Sequence, residues 1–424
     1  MSHHRVSQIP FALARLIADL RGSEGSARPL GGMTDFSKFP HEPTISIKPF
    51  TAHCSDEVLA DLKHRVNDSE SPRKTYENTT ATDRGLGLAR DWLVKAIDEW
   101  KTFDWRGIED EVNGFPNFKA HLYHEKHEYD IHFMALFSHK EDAIPVVMMH
   151  GWPGCFLEFV PMLRLLSSRY SPSTLPIHLI VPSLIGFGYS SPPPIDVDFG
   201  TRDNAPLIDQ LMAGMGLTGY VAQGGDIGSF VARFIAQTST ICKAVHLDFV
   251  PSLPPDTFDE STLDLVDQAC VKKLKEWNSW ERAYVQEHAT KTATIAAVVE
   301  SSSGSARLFI GWSDETPSIH TILSMVTMYW ITNTFPTSIY HYRVSYGRDV
   351  QDKDKMPPVS SKALGYSQFT HEIMPSPRVL VEQAGNNVVW HRRHERAGHF
   401  SALEDAETLW DDVHDFIEKV VRKL

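Results

Sequence analysis

Through the middle of the chain, short and nearly uninterrupted apolar runs alternate with stretches of helical periodicity. Ile144 to Met149 and Ile177 to Pro182 have the continuous apolar character that a strand buried on both faces requires. Pro206 to Leu217 spaces its apolar residues as a helix does, Gly219 to Gln223 reads as a strand, Phe230 to Ile235 starts a helix, and Ala244 to Val250 supplies another strand. Strands alternating with helices predict an α/β fold with a parallel sheet and right-handed crossovers. Reactive groups in such a sheet collect at the carboxyl ends of the strands.

On either side of this core the pattern changes. Asn117 to Tyr123 and Tyr129 to Leu136 alternate as two strands joined by a charged turn. Ser55 to Val66 and Leu86 to Trp100 have helical spacing, with Asp56 and Glu57 after Ser55 marking a helix start. At Pro251 the sheet pattern breaks. Long helical stretches follow, Leu263 to His288 and Ile319 to Trp330, with Trp277, Trp280, Trp312, Tyr329 and Trp330 in and between them. Helices inserted between two halves of a sheet predict a lid over the strand ends, although a purely structural insert would use the same residues. The sheet is predicted to resume at Arg378 to Gln383, and Ala406 to Leu424 closes the chain as an amphipathic helix. The expected division is an extension (1–43), an amino-terminal segment (44–130), the first half of the core (131–250), the lid (251–345) and the second half of the core (346–424).

Composition narrows the function classes. The chain has 424 residues and a formal net charge of -13, which argues against a nucleic-acid or anionic-membrane partner. No apolar run approaches the length of a membrane anchor. Cys54, Cys155, Cys242 and Cys270 are scattered without a CxxC pair, as small core residues in a reducing, cytoplasmic setting would be. Residues 1–32 carry Arg5, Arg15, Arg21 and Arg28 and faintly resemble a mitochondrial transit peptide; a disordered extension is the expectation. His121, His124, His127 and His132 invite a metal reading, but no carboxylate or cysteine pattern supports them, so solvated histidines and no metal are expected.

Candidate chemistry centres on Gly224-Gly225-Asp226-Ile227-Gly228, set between a predicted strand and a predicted helix. Glycines around one functional side chain suit a sharp strand-to-helix elbow that exposes the residue at its apex. The pentapeptide alone is equally an ordinary turn with a solvated acid. A serine attacking a saturated carbon would leave an ether, whereas a carboxylate leaves an ester that activated water can cleave. Asp226 therefore points to substitution at carbon. Upstream, the strand Ile144 to Met149 ends in His150-Gly151-Trp152-Pro153-Gly154, a tight loop that can aim the Trp152 N–H at an oxyanion, with the Ile227 N–H as its partner; a plain turn with a structural His150 is the alternative. Downstream, His399 in Gly398-His399-Phe400 follows the nucleophile in the chain order of an α/β-hydrolase. It is the candidate base for water and needs a carboxylate partner.

Together these motifs, and the segment from Pro49-Phe50-Thr51, resemble a fungal soluble member of the microsomal-type epoxide hydrolase family from about Phe39 to the carboxyl end. The resemblance implies an α/β-hydrolase fold with a mostly parallel sheet, a helical lid and an amino-terminal meander. It implies opening of a small-molecule epoxide to a diol with water, without cofactor. It places the relay acid at Glu372 in Phe369-Thr370-His371-Glu372, with Asp248 as the alternative, and two lid tyrosines at Tyr284 and Tyr342, with Tyr340 competing for the second role. It also suggests a homodimer through the lid. A haloalkane dehalogenase, an epoxide-opening cyclase of secondary metabolism and a noncatalytic binding protein of the same fold are the rival readings.

Overall fold

A computed structural model of the protein describes residues 34–81, 84–299 and 306–424. The expectation for residues 1–32 lies outside them. Residues 34–43, assigned above to the extension, pack on the core: Phe36 is buried and its carbonyl accepts the Phe137 N–H at 3.0 Å.

Among the described residues, nine strands form one sheet: β1 (Ser46–Pro49), β2 (Asn117–His124), β3 (His127–Leu136), β4 (Ile144–Met149), β5 (Ile177–Pro182), β6 (Tyr220–Gly224), β7 (Cys242–Leu247), β8 (Ala363–Phe369) and β9 (Val388–His394). Their spatial order is β1-β2-β3-β5-β4-β6-β7-β8-β9. The first strands pair antiparallel up to β3 on β5, and every pairing from β5 to β9 is parallel. This is the α/β-hydrolase arrangement with an amino-terminal antiparallel extension. Because β5 and β6 flank β4 on opposite sides, the strand order reverses there, and the carboxyl ends of β4 and β6 form the crevice where such sheets bind ligands. The inner strands are apolar and buried on both faces, as helices on either side require.

One predicted element is corrected. Arg378–Gln383 is a helix, not a strand. It buries Leu380 and Val381 and pairs Arg378 with Glu382 one turn on, whereas in a strand residues four apart lie about 13 Å from each other and cannot pair. The sheet resumes earlier, at β8. Gly365 interrupts the apolar pattern of that strand because a Cβ there would stand 2.9 Å from both the His246 and Phe416 rings. β9 is hard to recognise because it ends in His391-Arg392-Arg393-His394. The closing helix, Ala406–Lys419, answers those charges with Asp412, fully buried, which bonds His394 at 2.6 Å, Arg392 at 2.6 Å and the Ser367 hydroxyl. Burial pushes the Asp412 carboxyl up, but the bonds from His394 and Ser367 outweigh it and hold it below the usual range.

Smaller differences follow the same logic. The second amino-terminal helix starts at Arg90, and β7 ends at Leu247. Helices Leu265–Glu276, Ala283–Thr290, Ile319–Thr332 and Tyr340–Tyr346 belong to the helical insert, with shorter helices between them. Tyr329 reaches from it to the β4 loop, donating its hydroxyl to the Gly154 carbonyl at 2.7 Å, and Trp100 donates its indole N–H to Thr327 at 3.0 Å. The four histidines do not converge. His121 bonds Asp130, His124 bonds Gln210, and His127 lies 3.7 Å from Asp196. His132 is not solvated but fully buried, held between Ser183 and Asn117, and burial lowers its pKa to about 3. No metal-binding cluster of His, Cys, Asp or Glu occurs among the described residues.

Helix Asp226–Thr238 starts at the elbow itself, four residues before the predicted start. Its close seat on β4 depends on Gly228, where a Cβ would stand 2.0 Å from the Met149 carbonyl oxygen. Gly228→Ala is expected to destabilise the protein by ~1–3 kcal/mol or more through overpacking against backbone. A thermal midpoint equal to that of the parent would show that the helix does not sit this close.

Candidate active site

Asp226 has φ 40°, a left-handed conformation that is strained for a residue with a side chain and that throws its carboxylate out over the crevice. The β4 loop makes room for it. A Cβ at Gly151 would stand 2.2 Å from Asp226 Oδ1, so only glycine admits the carboxylate there. The two carboxylate oxygens then meet different surroundings. The Trp152 N–H donates to Oδ1 at 2.8 Å, and Oδ2 faces His399 Nε2 at 3.4 Å. Ile227 follows as the second residue of the helix and is buried.

His150 is tied into the scaffold. It bonds the Gly151 carbonyl through Nδ1 at 3.0 Å and receives the Leu184 N–H on Nε2 at 3.1 Å, so it fixes the loop that carries Gly151 and Trp152. Burial lowers its pKa to about 4, which keeps the ring neutral and able to make both bonds.

His399 lies on the loop after β9. Its N–H donates to the Trp312 carbonyl at 3.0 Å, and its ring packs edge-on against Trp312 and Phe249. Nδ1 bonds Glu372 Oε1 at 2.6 Å, and the same oxygen takes the Ile373 N–H at 2.5 Å. Glu372 stands on the turn after β8. Burial disfavours charge on His399, but Glu372 and Asp226 outweigh it and raise its pKa well above that of an ordinary imidazole. Asp248, the other acid considered, accepts the Ser401 hydroxyl instead of the His399 ring. Burial raises its pKa to about 6.

Tyr284 and Tyr342 come from two helices of the insert and meet edge-on, ring centroids 5.7 Å apart. Both rest on the Trp152 indole, at 5.9 and 5.5 Å. With Asp226, Phe249, Trp277 and Ile373 they line one cavity. Burial above all, reinforced by the nearby Asp226 charge, raises both phenols well above their usual pKa, so they keep their protons. The Tyr340 hydroxyl is committed elsewhere. It donates to the Ile185 carbonyl at 2.8 Å and receives the Asn204 amide at 3.0 Å. Glu158, which no sequence pattern singled out, is buried beside Asp226 and His399, on a short turn after the β4 loop.

The arrangement sets the Asp226 carboxylate, with an amide N–H on one oxygen, opposite an imidazole that bonds a second acid, with two neutral phenols lining the same cavity. Comparison with known proteins shows the family. Residues 47–159 match the family described as epoxide hydrolase N terminus, and residues 144–269 match the α/β hydrolase fold family. A relative from Dothistroma septosporum is 35% identical over 396 residues, covering 91% of this chain and 93% of its own. Epoxide hydrolase 1 of Sus scrofa is 26% identical over 411 residues, covering 88% of each. The structure of Aspergillus niger epoxide hydrolase superposes with a TM-score of 0.83 at 39% identity, over 91% of this chain and 100% of that one. No helix of the described residues is long and apolar enough to cross a membrane. With sequence, fold and comparison in agreement, the chain belongs to the microsomal-type epoxide hydrolase family and is an epoxide hydrolase.

Proposed function

We propose that this epoxide hydrolase works in two steps through an ester on Asp226. The observation that carries the reading is the unequal environment of the two Asp226 oxygens: one takes an amide N–H, and the other faces an imidazole. In the first step Oδ2 attacks an epoxide carbon, the C–O bond of the ring breaks, and Tyr284 and Tyr342 hydrogen-bond the oxygen that gains charge. Their raised pKa values suit them to donate hydrogen bonds rather than to ionise.

In the second step water attacks the ester carbonyl carbon and gives a proton to His399, whose ring Glu372 orients and stabilises once charged. The carbonyl electron pair moves onto Oδ1, where the Trp152 and Ile227 N–H groups hold it. Collapse breaks the bond from the carbonyl carbon to the substrate-bound oxygen, which takes the proton still on the attacking oxygen. The first-step alkoxide has by then taken a proton from solvent and His399 returns its own to solvent, so the diol leaves and the carboxylate is restored. Esterification assists this step, because it removes one of the anions that keep His399 protonated. We take Glu372 as the relay acid and Asp248 as a neighbour.

The helical insert, residues 251–345, is read as the lid, and exposed Leu265 and Trp280 on it support a homodimer through that surface. Four free, buried cysteines support a reducing, cytoplasmic setting.

A single turnover in heavy-oxygen water tests the covalent step. The expected result is an unlabelled diol and one heavy oxygen in the Asp226 peptide. Label in the first-turnover diol would overturn the ester.

A further inference from the structure

Asp226 borders a second, smaller cavity that contains neither tyrosine. Glu158, Gln223, Asp248, His399 and Ser401 share its wall. The space open to a water there is about 10 Å³, the scale of a single molecule. Three buried polar atoms on the residues around it have no hydrogen-bond partner: Gln223 Oε1, Asp248 Oδ1 and His399 Nε2. The last faces Asp226 at 3.4 Å without making a hydrogen bond. Unpaired buried polar atoms are costly unless something occupies the space between them.

Glu158 completes the set. It makes no ion pair with any described residue, and the loop is shaped around it: a Cβ at Gly154 would stand 2.0 Å from its Oε2. The two glycines of the β4 loop thus admit two carboxyl groups, Gly151 for Asp226 and Gly154 for Glu158. Burial, reinforced by Asp248 and Asp226 and only partly offset by His399, raises the Glu158 pKa well above the usual carboxylate value. That favours the protonated form of the side chain, which has an O–H to donate.

We propose that this cavity holds the hydrolytic water and that Glu158 is the residue that positions it. The inference rests on the two-step reading above. Once the ester has formed and His399 is neutral, the water receives the Glu158 O–H, points one proton at His399 Nε2 and gives the other to Gln223 or Asp248. In the step itself the water oxygen bonds to the Asp226 ester carbon, its proton passes to His399, and the carbonyl pair moves to the oxygen held by Trp152. Glu158 keeps its own proton throughout. It acts on the second step only.

Stopped-flow fluorescence under single-turnover conditions separates ester formation from ester hydrolysis. Glu158→Leu is expected to leave ester formation near the parent rate and to slow hydrolysis roughly 10²-fold, the cost of misplacing a reacting group. Glu158→Gln, whose amide still donates a hydrogen bond without charge, should recover most of that loss. Gln223→Leu removes a partner from another wall and should slow the same step, which keeps the test open if the Glu158→Leu protein does not fold. Parent-like hydrolysis in both leucine variants, or an equal fall in both steps, would overturn the proposal. Absence of any ester on Asp226 in the parent, read by mass spectrometry, would instead overturn the covalent mechanism itself.

Discussion

Asp226→Ala is expected to abolish epoxide opening, with turnover lower by on the order of 10⁴-fold or more, because the group that forms the covalent bond in the proposed mechanism is gone and no neighbour can replace it. The nearest carboxyl groups are poorly suited. Glu372 is engaged by His399 and the Ile373 N–H, Asp248 by Ser401, and burial raises the Glu158 pKa, which favours its uncharged form. The fold should survive the change, since removing the carboxylate relieves a partly buried ion packed against Gly151 and facing His399. Diol formation from an epoxide substrate, followed by chromatography, checks the prediction, with the thermal midpoint as control. Residual activity within tenfold of the parent would mean that water attacks the epoxide directly.

His399→Gln should fail differently. Ester formation needs Asp226 and the phenols, whereas ester hydrolysis needs a base, whose loss costs roughly 10²–10⁴-fold. The variant is expected to consume about one equivalent of epoxide and then stall with the substrate attached to Asp226, detectable as a mass increment on that peptide. In the parent, the hydrolysis step should rise with pH through the His399 pKa and level off above it, because only the neutral ring accepts a proton. Burial works against protonation, but Glu372 and Asp226 outweigh it and raise the pKa well above that of an ordinary imidazole in the resting enzyme; the hydrolysis limb, read on the ester, should lie lower because the Asp226 charge is gone. Glu372→Gln removes one of the anions and should move the limb to lower pH. Steady turnover without ester accumulation in His399→Gln would remove the histidine from the proposed role.

The candidate residues differ in how visible they are before folding. Asp226 sits in a local pattern, glycines flanking one acid between strand and helix, so elbow and side chain can be read together. His399 is visible only because chain order supplies an expectation. Glu372, Tyr284 and Tyr342 stand in no diagnostic spacing and are reached only through family resemblance. Glu158 is invisible: nothing in Phe156-Leu157-Glu158-Phe159 tells that the acid turns inward beside Gly154. The strand assigned to Arg378–Gln383 fails for a related reason. A short apolar run suits either element, and the neighbours that decide, β8 and β9, are hidden by Gly365 and by a run of cationic residues.

By itself, the order of apolar runs determined the parallel core, and the chemistry of a carboxylate at an elbow determined that a covalent ester was the reaction to look for. Both depend on residues close together in the chain. Only the tertiary structure decided which acid reaches the His399 ring, which tyrosine hydroxyl is already spent on the Ile185 carbonyl, and which buried carboxyl stands behind the nucleophile. Those outcomes turn on ångström-scale distances between separate segments of the chain, and on whether burial leaves a group charged or neutral. Neither quantity exists until the sheet brings the strand ends together.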